Sequence, residues 1–310
     1  MAKPIFVVGR PRTGTTWLGN LIGQHSNVAC VHRNNETGKY GIAESAYFSH
    51  IADKFGDLAI ANNLIRLIEV FCNSDFFELT GLDKDMVYVA RPQNYKGLFR
   101  LVMDRYAERK GTDFWLEKTP MHALYIDKIS KYYPDAKFVV IQRNIVDQVR
   151  SAVKLTENKV RKRHTNGVKR LSLLTEKVFM YHLVYKHIKR FEKRCPDKMI
   201  FVRYEDLLSS RRETISAVCE FLGLDFQENM LETNFKAGTS FKSEAERKET
   251  LSAGQVRIVK CLDRIFGILP YGLYRIFHLL KQRIDKNKLP FWFFANKINR
   301  YNWVKRDNKS

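Results

Sequence analysis

The sequence predicts an α/β layered domain, with a mainly parallel central sheet flanked by helices, followed by a helical C-terminal extension. Three observations carry that expectation. Short apolar runs, at Pro4–Val8, after Thr112, at 137–143 and at 199–203, alternate with stretches of helical periodicity. The first run passes through a loop of glycine, proline and hydroxyl residues, Gly9 to Thr16, into a helix marked by Trp17, Leu18, Leu21 and Ile22. Beyond residue 253 the chain becomes aromatic and basic, so residues 1–253 form the main domain and 254–310 the extension.

The length of 310 residues and a hydrophobic content of 45% suffice for one large α/β domain with a helical appendage. With 54 Lys and Arg against 33 Asp and Glu, the formal charge of +21 attracts anions but does not choose among a cofactor, an acidic glycan, a membrane surface and nucleic acid. The five cysteines are widely spaced and form no C-x-x-C pair, which suits reduced thiols better than a disulfide framework or a metal site. The phosphate-type loop begins within ten residues of Met1, and a cytoplasmic location is the expectation.

Strand, glycine-containing loop and helix point backbone N–H groups and the positive end of a helix dipole at an anion. Gly9, Gly14, Thr15 and Thr16 nearly spell the nucleotide-triphosphate loop, but Thr15 stands where its lysine belongs. That argues against a P-loop nucleotide kinase, because the lysine reaches the β- and γ-phosphates. The loop's cation is Arg12 instead.

Arg12, Thr13, Gly14, Thr15 and Thr16, preceded by a strand and Pro11, resemble the 5'-phosphosulfate loop of sulfotransferases of the bacterial and glycan type, enzymes that use 3'-phosphoadenosine 5'-phosphosulfate (PAPS). The resemblance, from about Pro4 to Leu208, implies the P-loop-like sulfotransferase fold, PAPS as co-substrate and no metal. It places Arg12 to Trp17 at the 5' end of the donor. A second signature, Arg143 at a strand end and Ser151 eight positions later on a helix, would hold the 3'-phosphate. Tyr204 matches the position that contacts adenine. Lys242, in a stretch loosely similar to a late loop that folds over the donor, would help to close the phosphate site.

A hydroxyl acceptor is a poor nucleophile, and a base must take its proton. The pattern Glu44, Tyr47, Phe48 looks like the surroundings of the catalytic glutamate in heparan N-sulfotransferases, and Glu44 is the first choice, with Glu36 and His32 as alternates. Its bland reading is an acid in the first turn of a helix starting near Ile42. Glu117-Lys118-Thr119-Pro120 resembles a motif whose lysine lies close to the transferred group; otherwise Lys118 is a strand-end lysine paired with Glu117. His122 is a further candidate for acceptor contact. Residues 57–72 and 95–110 read as amphipathic helices, and 75–94 as an irregular insertion that shapes an acceptor pocket. The basic run from Lys154 to Arg170 reads as a solvated face or mobile loop, with a nucleic-acid or acidic-glycan patch as the alternative.

In the extension, Arg264, Arg275 and Lys281 interrupt every apolar run short of a membrane span. Its helices either pack on the domain or lie peripherally on an anionic membrane. The expected activity is sulfuryl transfer to a hydroxyl or amine of a glycan, lipid-linked sugar or similar acceptor. A non-catalytic basic protein would explain the charge but not the two phosphate motifs, so nucleic acid is set aside as a partner.

Overall fold

A computed structural model of the chain describes residues 1–33, 40–160, 167–232 and 250–284. Five parallel strands form its centre: β1 (Lys3–Gly9), β2 (Val28–Cys30), β3 (Phe114–Glu117), β4 (Lys137–Gln142) and β5 (Met199–Arg203). Their order is β2-β3-β1-β4-β5. The chain therefore leaves β1 first toward β3 and later toward β4, and the crevice where ligands bind in such sheets opens beside the carboxyl end of β1.

Side chains alternate across β1, which is covered on both faces. Ile5 and Val7 pack with α1 (Thr15–Ile22), α9 (Tyr204–Ser209) and α10 (Arg211–Leu222). Phe6 and Val8 join a larger core with α5 (Tyr95–Lys110), α6 (Ile126–Tyr132), α7 (Ile145–Val160) and α8 (Gly167–Glu192). The strands end at different heights. Phe6 is level with Glu117, the last residue of β3, whereas Gly9 is level with Ile141 of β4.

Four apolar runs become strands, and β2 is an edge strand of three residues, too short to stand out in sequence. Helix α2 (Ala61–Cys72) starts later than residue 57. Segment 75–94 is helical rather than irregular: α3 (Asp75–Thr80) is capped by Ser74, whose hydroxyl accepts from the Phe77 N–H, and α4 (Asp85–Ala90) follows. The helix expected near Ile42 begins only at Tyr47, as a short π-helix to Ile51. The Ile42, Ser45 and Ala46 N–H groups donate to Asp75, Glu117 and Thr119 side chains, and tertiary hydrogen bonds replace helical ones.

The basic run is in part internal. Arg170 is buried and bonds Glu157 and the Thr250 carbonyl, tying α7 and α8 to the start of the tail. Helix α11 (Ala253–Ile268) opens with a capping box of Ser252 and Gln255, and α12 (Tyr271–Ile284) follows. Val259 and Tyr274 are fully buried in the larger core. On the outer face Ile265, Ile268, Leu273, Ile276, Phe277 and Leu280 are exposed. Among the described residues no helix is long and apolar enough to cross a membrane.

Candidate active site

The loop after β1 is closed by Thr13, whose N–H and O–H both donate to the Arg10 carbonyl at 3.2 and 2.7 Å. Gln148 of α7 donates to the Pro11 carbonyl at 2.8 Å. Gly14 has φ 103°, and a Cβ there would stand 2.6 Å from the Tyr204 ring, so conformation and space both require glycine. No side chain caps α1, which leaves the first-turn N–H groups of Thr15, Thr16 and Trp17 for an anion.

The second phosphate motif meets the first directly. Arg12 Nε donates to Ser151 Oγ at 3.1 Å, and Ser151 is buried on α7. The Arg143 guanidinium lies 4.2 Å over the Tyr204 ring, and its Nε is buried with no hydrogen-bond partner. Tyr204, itself buried, packs edge-on against the fully buried Trp17, over whose ring Arg211 lies. Burial, then the charges of Arg143 and Arg33, hold the Arg12 pKa below its usual range, with Glu44 opposing them. A basin that gathers like charges in this way is stabilised by an anion.

Lys118 and Glu44 form the other half of the site. Lys118 Nζ donates to Glu44 Oε1 at 3.0 Å, not to Glu117 as a strand-end lysine would. Its stem lies over α1 at Gly19, where a Cβ would come within 3.2 Å of Lys118 Cγ. Glu117 points the other way, into the core. It accepts the Ser45 N–H and O–H at 3.3 and 2.7 Å, the Thr119 O–H at 2.5 Å and His122 Nδ1–H at 2.7 Å. The Phe48 N–H donates to His122 Nε2 at 3.2 Å, which assigns the proton to Nδ1. His122 is fully buried with both ring nitrogens engaged, so it has none left for an acceptor. Burial works against ionisation of Glu117, but His122, Thr119 and Ser45 outweigh it and hold the pKa below its ordinary value.

The structure thus brings Arg12, Thr13, Gly14, Thr15, Thr16, Arg143, Ser151, Tyr204, Glu44 and Lys118 to one rim. His32 lies elsewhere, hydrogen-bonded to backbone at Gly23, the far end of α1, with its pKa lowered by burial. Glu36 and Lys242 lie outside the described residues. Sequence reasoning missed Arg33, Gln148 and the Glu117 network. Only Glu117 carried a signal, as an acid at the end of an apolar strand.

A family model described as the sulfotransferase family matches residues 4–228, a span that holds both phosphate motifs and the Glu44–Lys118 pair. The chain belongs to the sulfotransferase family. Helices α11 and α12 fall beyond the matched span of this family member. Among solved structures, the sulfotransferase domain of the Synechococcus PCC 7002 olefin synthase is similar at 17% identity and a TM-score of 0.50, covering 87% of this chain and 96% of that one. Sulfotransferase STF1 of Mycobacterium tuberculosis is 18% identical, with a TM-score of 0.49 and coverages of 85% and 76%. Mouse sulfotransferase SULT7A1, solved with PAP, is 11% identical, with a TM-score of 0.43 and coverages of 96% and 87%. Comparison with curated protein sequences finds no match.

Proposed function

We propose that this family member moves a sulfuryl group from PAPS to a hydroxyl or amine of a glycan, lipid-linked sugar or similar acceptor. The observation that carries the reading is the Arg12–Ser151 bond beside the Glu44–Lys118 pair at the uncapped start of α1. The residues fit the donor. The orphaned Arg143 Nε and the Ser151 hydroxyl suit a 3'-phosphate, and the α1 N–H groups with Arg12 suit the 5' end. PAPS, when bound, supplies the sulfuryl group and leaves as adenosine 3',5'-bisphosphate (PAP). Tyr204, placed beside Arg143, is kept for adenine on the family resemblance, and Lys242 remains a candidate for closing the phosphate site.

Glu44 accepts the proton of the attacking hydroxyl, and Lys118 holds that carboxylate in place. As charge moves toward the leaving phosphate, Arg12, Lys118 and the α1 dipole offset it without reorganising. A kinase reading lacks its loop lysine. A lipid-linked acceptor is supported by an apolar groove of about 560 Å³ between α8 and α12, lined by Val168, Leu171, Phe179 and Phe277. The exposed apolar stripe of α12, flanked by Arg264 and Arg275, supports peripheral contact with the anionic inner face of a membrane, and with it a cytoplasmic site of action.

Calorimetry tests the donor: PAP should bind more tightly than AMP or ATP, and equal affinity for all three would count against the reading. Transfer of labelled sulfur from PAPS to a panel of acceptors tests the reaction. Co-sedimentation with acidic vesicles, reversed by salt, tests the membrane contact.

A further inference from the structure

Arg10 has no part in the mechanism above, yet its side chain is more buried than most arginines ever are. It is 8% exposed, its Nε has no hydrogen-bond partner, and its Nη1 reaches only the thioether of Met121 at 3.9 Å. Among the described residues no carboxylate lies within ion-pair distance of it. Burial acts on it most strongly, Glu176 of α8 is the charge that favours it, and Glu176 is paired at 2.5 Å with Lys177. A buried guanidinium without an oxyanion is costly, and its planar fork matches carboxylate, sulfate or phosphate.

Its place in the fold says where that anion comes from. Phe6 and Val8 face the larger core, and Arg10 continues their side of β1 toward Met121 and α8. Helix α1 packs on the opposite face. After burial, which dominates for both, the charges that act on Arg12 are those of Arg143, Arg33 and Glu44, whereas the one that acts on Arg10 is that of Glu176. Two separate cationic positions therefore flank the loop, one toward Ser151 and the other toward α8, whose Glu176 also lines the apolar groove.

We infer that Arg10 binds an anionic group on the acceptor, a carboxylate, sulfate or phosphate displaced from the hydroxyl or amine that is modified. This rests on the sulfotransferase reading only for the word acceptor; the anion site itself does not. The test titrates inorganic sulfate by calorimetry into the PAP-saturated protein, comparing wild type with Arg10→Gln and Arg10→Lys. Loss of a charge-assisted pair should weaken sulfate at least about tenfold in Arg10→Gln, while Arg10→Lys, which keeps the charge but loses the fork, should fall between Arg10→Gln and wild type. PAP affinity should be unchanged in both, and Arg10→Gln should melt higher than wild type, because an unpaired buried charge has been removed.

Labelled-sulfur transfer then compares 12-hydroxydodecanoate with its methyl ester, and the ester should be the poorer acceptor only when Arg10 is present. Sulfate binding that is absent, or equal in wild type and Arg10→Gln, would overturn the inference. So would weakened PAP binding in Arg10→Gln, which moves the anion to the donor, or a lower melting temperature, which makes Arg10 a structural residue. If PAP itself does not bind, the donor reading fails, while sulfate titration of the unliganded protein still decides Arg10.

Discussion

The phosphate side of the rim, around β1, α1 and β4, and the carboxylate side, around Glu44 and Lys118, are assembled by different means. On the phosphate side the pieces are short contiguous segments, 9–17 and 143–151, each delivered by a strand that ends beside the other, since Gly9 is level with Ile141. On the carboxylate side the bonds that seat the insertion join residues far apart in the chain: Glu44 and Lys118 are 74 positions apart, Ser45 and Glu117 are 72. Two such bonds in parallel fix the segment before the π-helix against the end of β3. The phosphate loop is closed on itself by Thr13 and tied to α7 by single bonds from Gln148 and to Ser151, whereas on the carboxylate side one buried acid, Glu117, gathers the bonds.

The sharpest way to separate the two sides is Glu44→Gln. It keeps shape and hydrogen bonding but removes the proton acceptor, so labelled-sulfur turnover should fall about 10²–10⁴-fold while calorimetric PAP affinity stays unchanged. Loss of PAP binding in this variant would show that the two sides are not independent. Next in size is Glu117→Ala, which strips a buried acid from four donors; chemical denaturation should report a loss of about 3–5 kcal/mol. Because the folded pKa of Glu117 lies below 4.5, its contribution is complete above that pH and disappears as pH falls through the folded value. The melting temperature of the wild type should therefore drop more steeply than that of Glu117→Gln when pH is taken from neutral to well below 4.5.

Smaller effects belong to the phosphate side. Arg143→Ala should weaken PAP by roughly 1.5–3 kcal/mol, ten- to a hundredfold, with little change for AMP, and a change under about twofold would move the 3'-phosphate elsewhere. Ser151→Ala removes a neutral donor worth about 0.5–1.5 kcal/mol, and its effect on PAP affinity should stay near or below tenfold.

The same contrast explains what could be read before the structure. Alternation of apolar runs and helical periodicity marked four of the five strands, and the loop chemistry of Gly9 to Thr16 with Arg143 and Ser151 marked the phosphate side, because strand, loop and helix there are neighbours in sequence. The insertion was harder. Ile42, Ser45 and Ala46 look like the start of a helix, yet their N–H groups are taken by Asp75, Glu117 and Thr119, partners that no local pattern announces. Lys118 was found by motif, and the alternative of a strand-end lysine paired with Glu117 fails because Glu117 turns into the core while Lys118 reaches Glu44. Arg33 and Arg10 are single arginines whose neighbours exist only in the fold.

The uneven strand ends turn side-chain length into a gauge. Glu117 is level with Phe6, and β1 runs on for three more residues to Gly9, a rise of about 10 Å at roughly 3.3 Å per residue. The rim is a stair: β3 is the low tread, β1 the middle, and Arg143, one residue past β4, the top. A cation rooted at position 118 must climb to meet anything held at the start of α1, and the Lys118 stem laid across Gly19 is that climb. Replacement by a shorter cation, such as 2,4-diaminobutyrate introduced by semisynthesis, would keep the charge and leave it below the landing.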